Sequence, residues 1–281
     1  MLGLGFWAAL GLSACIEAAA GPPPIAIVID DLGYQPHNDR AVTEIAALES
    51  FAILPFTPHG RALGERLHAA GKEVLLHLPM EAHSRNDLLG PGALRLTMTE
   101  GEFRATAHAA LAAIPHLAGV NNHMGSLLTA EPERMRWLMS VLADYPALYF
   151  IDSRTTAASA ARGAASAAAV PYLARDVFLD HERDIEAIHA RLDDLVRHAG
   201  RRGDAIGIAH PYAETLAVLR ARLPGLTAAR LVSIRELYEL RACRAALAAR
   251  TSLATPIAHG QRGRQQTEAA ADPDTHRQRA E

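Results

Sequence analysis

Short apolar runs alternate with amphipathic or alanine-rich stretches along most of this chain, and many of the runs stop at a polar or charged residue. The first run, IAIVID (25–30), is β-branched and apolar on both faces, as a strand buried on both sides must be. Further runs are FAILPF (51–56), EVLLHLP (73–79), GVNNHMG (119–125) and LYFIDS (148–153). VPYLARDVFLD (170–180) holds a short strand and its loop, and DAIGIAH (204–210) and ARLVSI (229–234) complete the set. Between them, 40–49, 60–70, 99–114, 131–143, 156–168, 182–201 and 213–222 read as helices, while 31–39 reads as loop. Gly71 is a helix C-cap signal, and Thr99 with Glu102 forms a capping box. Strand–helix alternation with short connections demands parallel strands joined by crossover helices. The pattern predicts an α/β fold, a small or incomplete (β/α) barrel, with a doubly wound open sheet as the alternative.

Composition narrows the function classes. The net charge of −3 leaves no basic footprint for nucleic acid, and 5% aromatic residues offer little for stacking bases. The two cysteines, Cys15 and Cys243, are too few for a disulfide framework or a cysteine-rich zinc site, so a metal here would use His and carboxylates.

Residues 2–14 are apolar, too short to span a bilayer but suited to a signal peptide. They end in Leu12-Ser13-Ala14-Cys15, which resembles a lipoprotein cleavage box, although no Lys or Arg precedes the run. The expectation is an exported protein, periplasmic or membrane-anchored through a lipidated Cys15. Residues 1–15 are then a leader, 16–24 a linker stiffened by Pro22-Pro23-Pro24, and 25–243 one folded domain. Residues 244–281 read as a polar disordered tail, whose Gln/Arg/Ala-rich part begins near Thr251.

In parallel α/β folds, function gathers at the C-terminal ends of the strands. Here those ends carry Asp30-Asp31, His77 followed by Glu81, Asn121-Asn122-His123, Asp152-Ser153-Arg154, Arg175-Asp176 and His210. Two adjacent Asp residues beside a buried strand repel each other unless a cation or metal sits nearby. Each end taken alone has an ordinary structural explanation, such as a turn pair or a hydrogen-bonded strand-end His. Their joint placement points to one site.

These residues resemble a known family. IAIVIDDLGY is similar to the first motif of the NodB-type deacetylase superfamily, and GKEVLLHLPME and GIAHPY are similar to two later ones. The chain is identified as a member of the divergent polysaccharide deacetylase branch over about 24–240. NNHMGS, FIDSRT and RDVFLDH look specific to that branch. The resemblance implies a barrel of the NodB deacetylase type and a divalent metal, zinc in the first place. It implies Asp30 as general base, Asp31 and His77 as metal ligands and His210 as general acid. Glu81 stands where the second ligand histidine should be, so His123 is favoured as third ligand over Glu81. Asn122 or Arg175 is the candidate for oxyanion or substrate contact, and Asp152 or Asp176 for holding His210; a buried Asp152–Arg175 ion pair is the structural alternative. The implied substrate is an N-acetylated envelope glycan. A non-catalytic metal- or glycan-binding envelope protein, or a hydrolase of another amide or ester, are the rival readings.

Overall fold

The computed structural model describes residues 21–254. They form nine parallel strands: β1 (Pro24–Leu32), β2 (Ser50–Ile53), β3 (Glu73–Met80), β4 (Leu117–Met124), β5 (Tyr149–Asp152), β6 (Tyr172–Ala174), β7 (Val177–Phe178), β8 (Ala205–Ala209) and β9 (Arg230–Leu231). Eight helices complete the set: α1 (Pro36–Thr43), α2 (Gly60–Ala69), α3 (Glu100–Ala113), α4 (Pro132–Ala143), α5 (Ala161–Ala167), α6 (Ile185–Arg202), α7 (Ala213–Arg222) and α8 (Ile234–Ala254). The strand order is β6-β5-β4-β3-β2-β1-β8-β7, with β9 paired to the start of β1. Among the described residues no ladder joins β6 to β7, so the sheet is a parallel half-barrel left open there.

Alternation along each strand sorts side chains between two cores. Ile25, Ile27 and Ile29 of β1 face the main core, shared with Leu63, Phe103, Leu192 and other helix residues. Ala26 and Val28 face a second core inside the curve of the sheet, with Leu75, Ile151, Ile206 and Ile208. Val232, Ile234 and Leu237 join that inner core. The curled sheet is thus filled by side chains, and its polar residues lie beyond the apolar layer.

The structure differs from the sequence reading in four places. α1 starts at Pro36 rather than at residue 40, because proline at the first helical position is pre-set for helix and needs no N–H partner. α5 is shorter than 156–168 and begins only at Ala161. The segment 170–180 splits into β6 and β7, which lie at opposite ends of the strand order. α8 runs through the expected tail boundary at 243, since RACRAALAAR is rich in strong helix formers. The compact unit itself ends at Arg244. The expected leader with Cys15, and the polar segment from 255, lie outside the described residues. No helix among the described residues is long and apolar enough to cross a membrane.

Candidate metal centre and catalytic site

The inward faces of β1, β3 and β4 carry polar residues to the C-terminal rim. On β1 the order is Ala26, Val28, Asp30; on β3 it is Leu75, His77; on β4 it is Gly119, Asn121, His123. The β3–β4 register pairs His77 with Asn121 and Pro79 with His123. His210 follows Ile206 and Ile208 just beyond β8.

Asp31 breaks the alternation, which alone would send it to the face opposite Asp30. Its φ is 61°, in the left-handed region that Asp tolerates better than most residues, and the β1–β2 register shifts between Ile29 and Leu32. The kink returns its carboxylate to the rim.

Three atoms converge there. Asp31 Oδ1 lies 3.2 Å from His77 Nε2 and 3.0 Å from His123 Nδ1, and those nitrogens are 3.1 Å apart. Their partners assign the protons. Asn121 Nδ2 donates to Asp30 Oδ1 at 2.8 Å, which leaves Asn121 Oδ1 to accept from His77 Nδ1 at 2.9 Å. The Leu88 carbonyl, which can only accept, lies 3.3 Å from His123 Nε2. With both outer nitrogens protonated, His77 Nε2 and His123 Nδ1 turn lone pairs toward a carboxylate oxygen. Asp31 Oδ1 is buried and has no aligned hydrogen-bond donor. Three acceptors this close repel unless a proton or a metal cation lies between them. Tetrahedral zinc ligands, each about 2.0–2.1 Å from the ion, sit roughly 3.4 Å apart. The donor set therefore fits a divalent metal in both chemistry and spacing, and among the described residues it is the group of His and carboxylate side chains with such spacing. Burial alone would raise the Asp31 carboxyl, but when the His123 and His77 imidazoles carry a second proton their hydrogen bonds and charge hold it well below the usual carboxylate range.

Two further groups flank this cluster. Asp30 is 2% exposed, and burial pushes its carboxyl up against the pull of His77 and His210. One of its oxygens is held by Asn121 while the other faces His77 Nε2 at 3.7 Å. On the other side, His210 Nδ1 is 3.0 Å from Asp180 Oδ1, and Asp180 Oδ2 accepts from His210 N (2.6 Å) and Thr215 Oγ1 (2.8 Å). His210 Nε2 thus points inward, 3.8 Å from Asp31 Oδ2. Burial pulls the His210 imidazole down, but Asp180 and Asp31 outweigh it and raise it to about 9. A cation on Asp31 would cancel part of that rise. Phe178 meets the His210 ring edge-on and Tyr212 stacks on it.

The structure thus gathers Asp30, Asp31, His77, His123 and His210 and places the other candidates apart. Glu81 Oε2 accepts from Leu96 N at 2.6 Å, away from the three converging atoms. Asn122 spends its amide on Ser153 N (2.8 Å) and Met124 O (2.7 Å), bracing the ends of β4 and β5. Arg175 donates to the carbonyls of Ser153 (2.7 Å) and Arg154 (3.1 Å) and forms no ion pair with Asp152. The expectation that Asp152 or Asp176 holds His210 is corrected. Asp152 accepts from Arg154 N and Tyr172 Oη, Asp176 accepts from Ile206 N and faces His198, and Asp180 takes the expected place. Sequence reasoning placed Asn121 at the rim but gave it no role, although strand parity marks it: it shares a face with His123, whereas Asn122 does not.

A cleft of about 710 Å³ opens beside the cluster, lined by Asp31, His123, Tyr34, Leu88, Arg183 and Tyr212 among others.

The sequence model of the divergent polysaccharide deacetylase family matches residues 27–238. The chain is 37% identical over 217 residues to uncharacterized protein YibQ of Escherichia coli, covering 77% of this chain and 66% of that one, just under two thirds of its length. An uncharacterized protein of Haemophilus influenzae is 35% identical over 202 residues, 72% of this chain and 71% of that one. The crystal structure of uncharacterized protein ATU2773 from Agrobacterium tumefaciens superposes with a TM-score of 0.72 at 27% identity, covering 78% of this chain and 90% of that one.

Proposed function

The chain belongs to the divergent polysaccharide deacetylase family, and from that premise we propose that it is a metal-dependent hydrolase removing N-acetyl groups from an envelope glycan. The observation that carries this reading is the convergence of Asp31 Oδ1, His77 Nε2 and His123 Nδ1, with no other donor among the described residues placed between them. A divalent ion, zinc first among them, would be held by these three residues and would supply Lewis acidity toward an acetamide carbonyl and toward water.

The chain's own groups divide the proton work. Asp30, with one oxygen fixed by Asn121 and the other free toward the cluster, takes the proton of the attacking water. The water oxygen bonds to the carbonyl carbon, and the C–N bond breaks. His210, oriented by Asp180 through Nδ1, delivers a proton from Nε2 to the departing sugar amine. Acetate and a free amine result, with no oxidant or second substrate needed. The adjoining cleft has room for sugar rings, with Tyr34 and Tyr212 as surfaces for their apolar faces. The apolar leader at residues 1–15 would bring the domain to the envelope, where such glycans lie.

The test is acetate release from N-acetylglucosamine oligomers and peptidoglycan fragments by the zinc-loaded protein, beside Asp30→Asn. Release by the wild type and its loss in the variant, with zinc content unchanged, is the expected result. Full metal occupancy without release from any acetylated glycan would replace this reading with a metal-bearing binding module.

A further inference from the structure

The segment after β3 leaves the sheet at Glu81 and returns to it at Leu94. Glu81 N donates to Leu94 O (2.9 Å), Leu94 N donates to Pro79 O (2.9 Å), and the Glu81 carboxylate accepts from Leu96 N (2.6 Å). These three bonds close the neck of a loop. Inside it, the Asn86 side chain bonds both the N–H and the carbonyl of Ala82. Outside it, Gly90 and Gly92, both with positive φ, lie against Tyr34 and Phe56. A Cβ on Gly92 would come within 2.5 Å of the Phe56 ring, so the loop is seated closely there. Leu88 forms the far end of this loop. Its side chain is exposed at the cleft, and its carbonyl lies 3.3 Å from His123 Nε2. An imidazole whose outer nitrogen is unheld can rotate and lose its aim; a carbonyl on that nitrogen fixes both ring and tautomer.

We propose that Glu81 is a positioning residue for His123, acting through the loop 81–96 whose neck it closes and whose Leu88 carbonyl holds the imidazole. The proposal rests on the reading that Asp31, His77 and His123 hold a metal. Glu81 touches neither the ion site nor the substrate; it decides how tightly His123 is aimed.

The experiment measures zinc affinity of the full chain by chelator competition, with cobalt(II) absorption spectra at saturation. Glu81→Ala opens the neck and is expected to weaken zinc binding by about 10–100-fold, as loss of an outer support typically does. The saturated cobalt spectrum keeps its shape, because no ligand is lost. Glu81→Gln retains an oxygen for Leu96 N–H and is expected to keep most of the affinity. Gly92→Ala pushes the loop off Phe56 while leaving Glu81 in place, and is expected to weaken zinc binding as well; it carries the test should Glu81→Ala fail to fold. Wild-type zinc affinity in both Glu81→Ala and Gly92→Ala would overturn the proposal. So would a Glu81→Gln protein as weak as the alanine variant with an altered cobalt spectrum, which would make Glu81 a ligand. A wild-type protein that binds no metal would overturn the metal reading itself and this proposal with it.

Discussion

Glu73 and His77 lie on the same inward face of β3, one at the base of the half-barrel and one at the rim, and their surroundings are opposites. At the base, Glu73 Oε2 accepts from Ser50 Oγ (2.5 Å) and Ile234 N (2.9 Å), and Oε1 accepts from Arg235 N (2.9 Å). A buried charge is matched there by the N-terminus of α8, where unpaired N–H groups and the helix dipole favour an anion. At the rim, His77 Nε2 faces Asp31 Oδ1 and His123 Nδ1, and no other side chain among the described residues donates to Asp31 Oδ1. Both ends bury polar groups under the same apolar layer. One is closed by the backbone and is architecture. The other leaves three ligand atoms facing one another with no further partner among the described residues, which is the feature the metal proposal rests on.

That contrast breaks first if chemistry does not follow it. Asp30→Asn should lower acetate release by about 10²–10⁴-fold while leaving bound zinc unchanged, because a general base contributes to rate and not to ligation. Zinc content that falls in parallel with rate would move Asp30 into the ligand set. Next in size is the base. Glu73→Ala should destabilise the fold by about 2–5 kcal/mol, read by denaturant unfolding, because it takes the carboxylate from Ser50 Oγ, Arg235 N and Ile234 N and leaves the last only Ser50 Oγ as a partner. The loss should be equal with and without zinc. The converse holds at the rim. Zinc at 100 times its dissociation constant should stabilise the wild type by about 2.7 kcal/mol by mass action. His77→Ala should abolish that gain, and its cost to the metal-free protein should stay below that of Glu73→Ala, limited to the cavity it leaves and to Asn121 Oδ1 losing its donor. A large loss of metal-free stability in His77→Ala would mean that the rim is as structural as the base.

Much of this contrast is legible in the sequence. The apolar runs locate the strands, their polar ends locate the rim, and period-two alternation sends Asp30, His77, Asn121 and His123 inward. The kink at Asp31 is less visible, because its φ of 61° comes from local bulging of β1 and not from a glycine. What the sequence conceals is strand order at the open end of the half-barrel. β6 and β7 are almost contiguous in the chain, yet β7 pairs with β8, aligning Val177 with Gly207 and Phe178 with Ile208. Carried two residues on, that register sets Asp180 beside His210. Asp152 and Asp176 look like equal candidates until it is known. Glu81 misleads differently: its spacing from His77 suggests a ligand, but the loop neck claims its carboxylate.

The smallest expected effect lies at Asp180, which has features of both ends. It is buried at the rim like His77 but fully partnered like Glu73, by His210 N, His210 Nδ1 and Thr215 Oγ1. Thr215→Val removes one of these donors with little change of shape. Two donors remain, one of them the backbone N–H that the register of β7 and β8 fixes, so the carboxylate is not stranded. The cost should be about 1 kcal/mol, the ordinary net worth of a single hydrogen bond, and zinc affinity should not change. A loss of about 3 kcal/mol would show that the hydroxyl alone keeps Asp180 in place, and that the His210 arm of the site lacks the redundancy of the base. Unchanged stability together with a lower rate of acetate release would show the reverse: Thr215 aims the carboxylate for His210 and adds nothing to the fold.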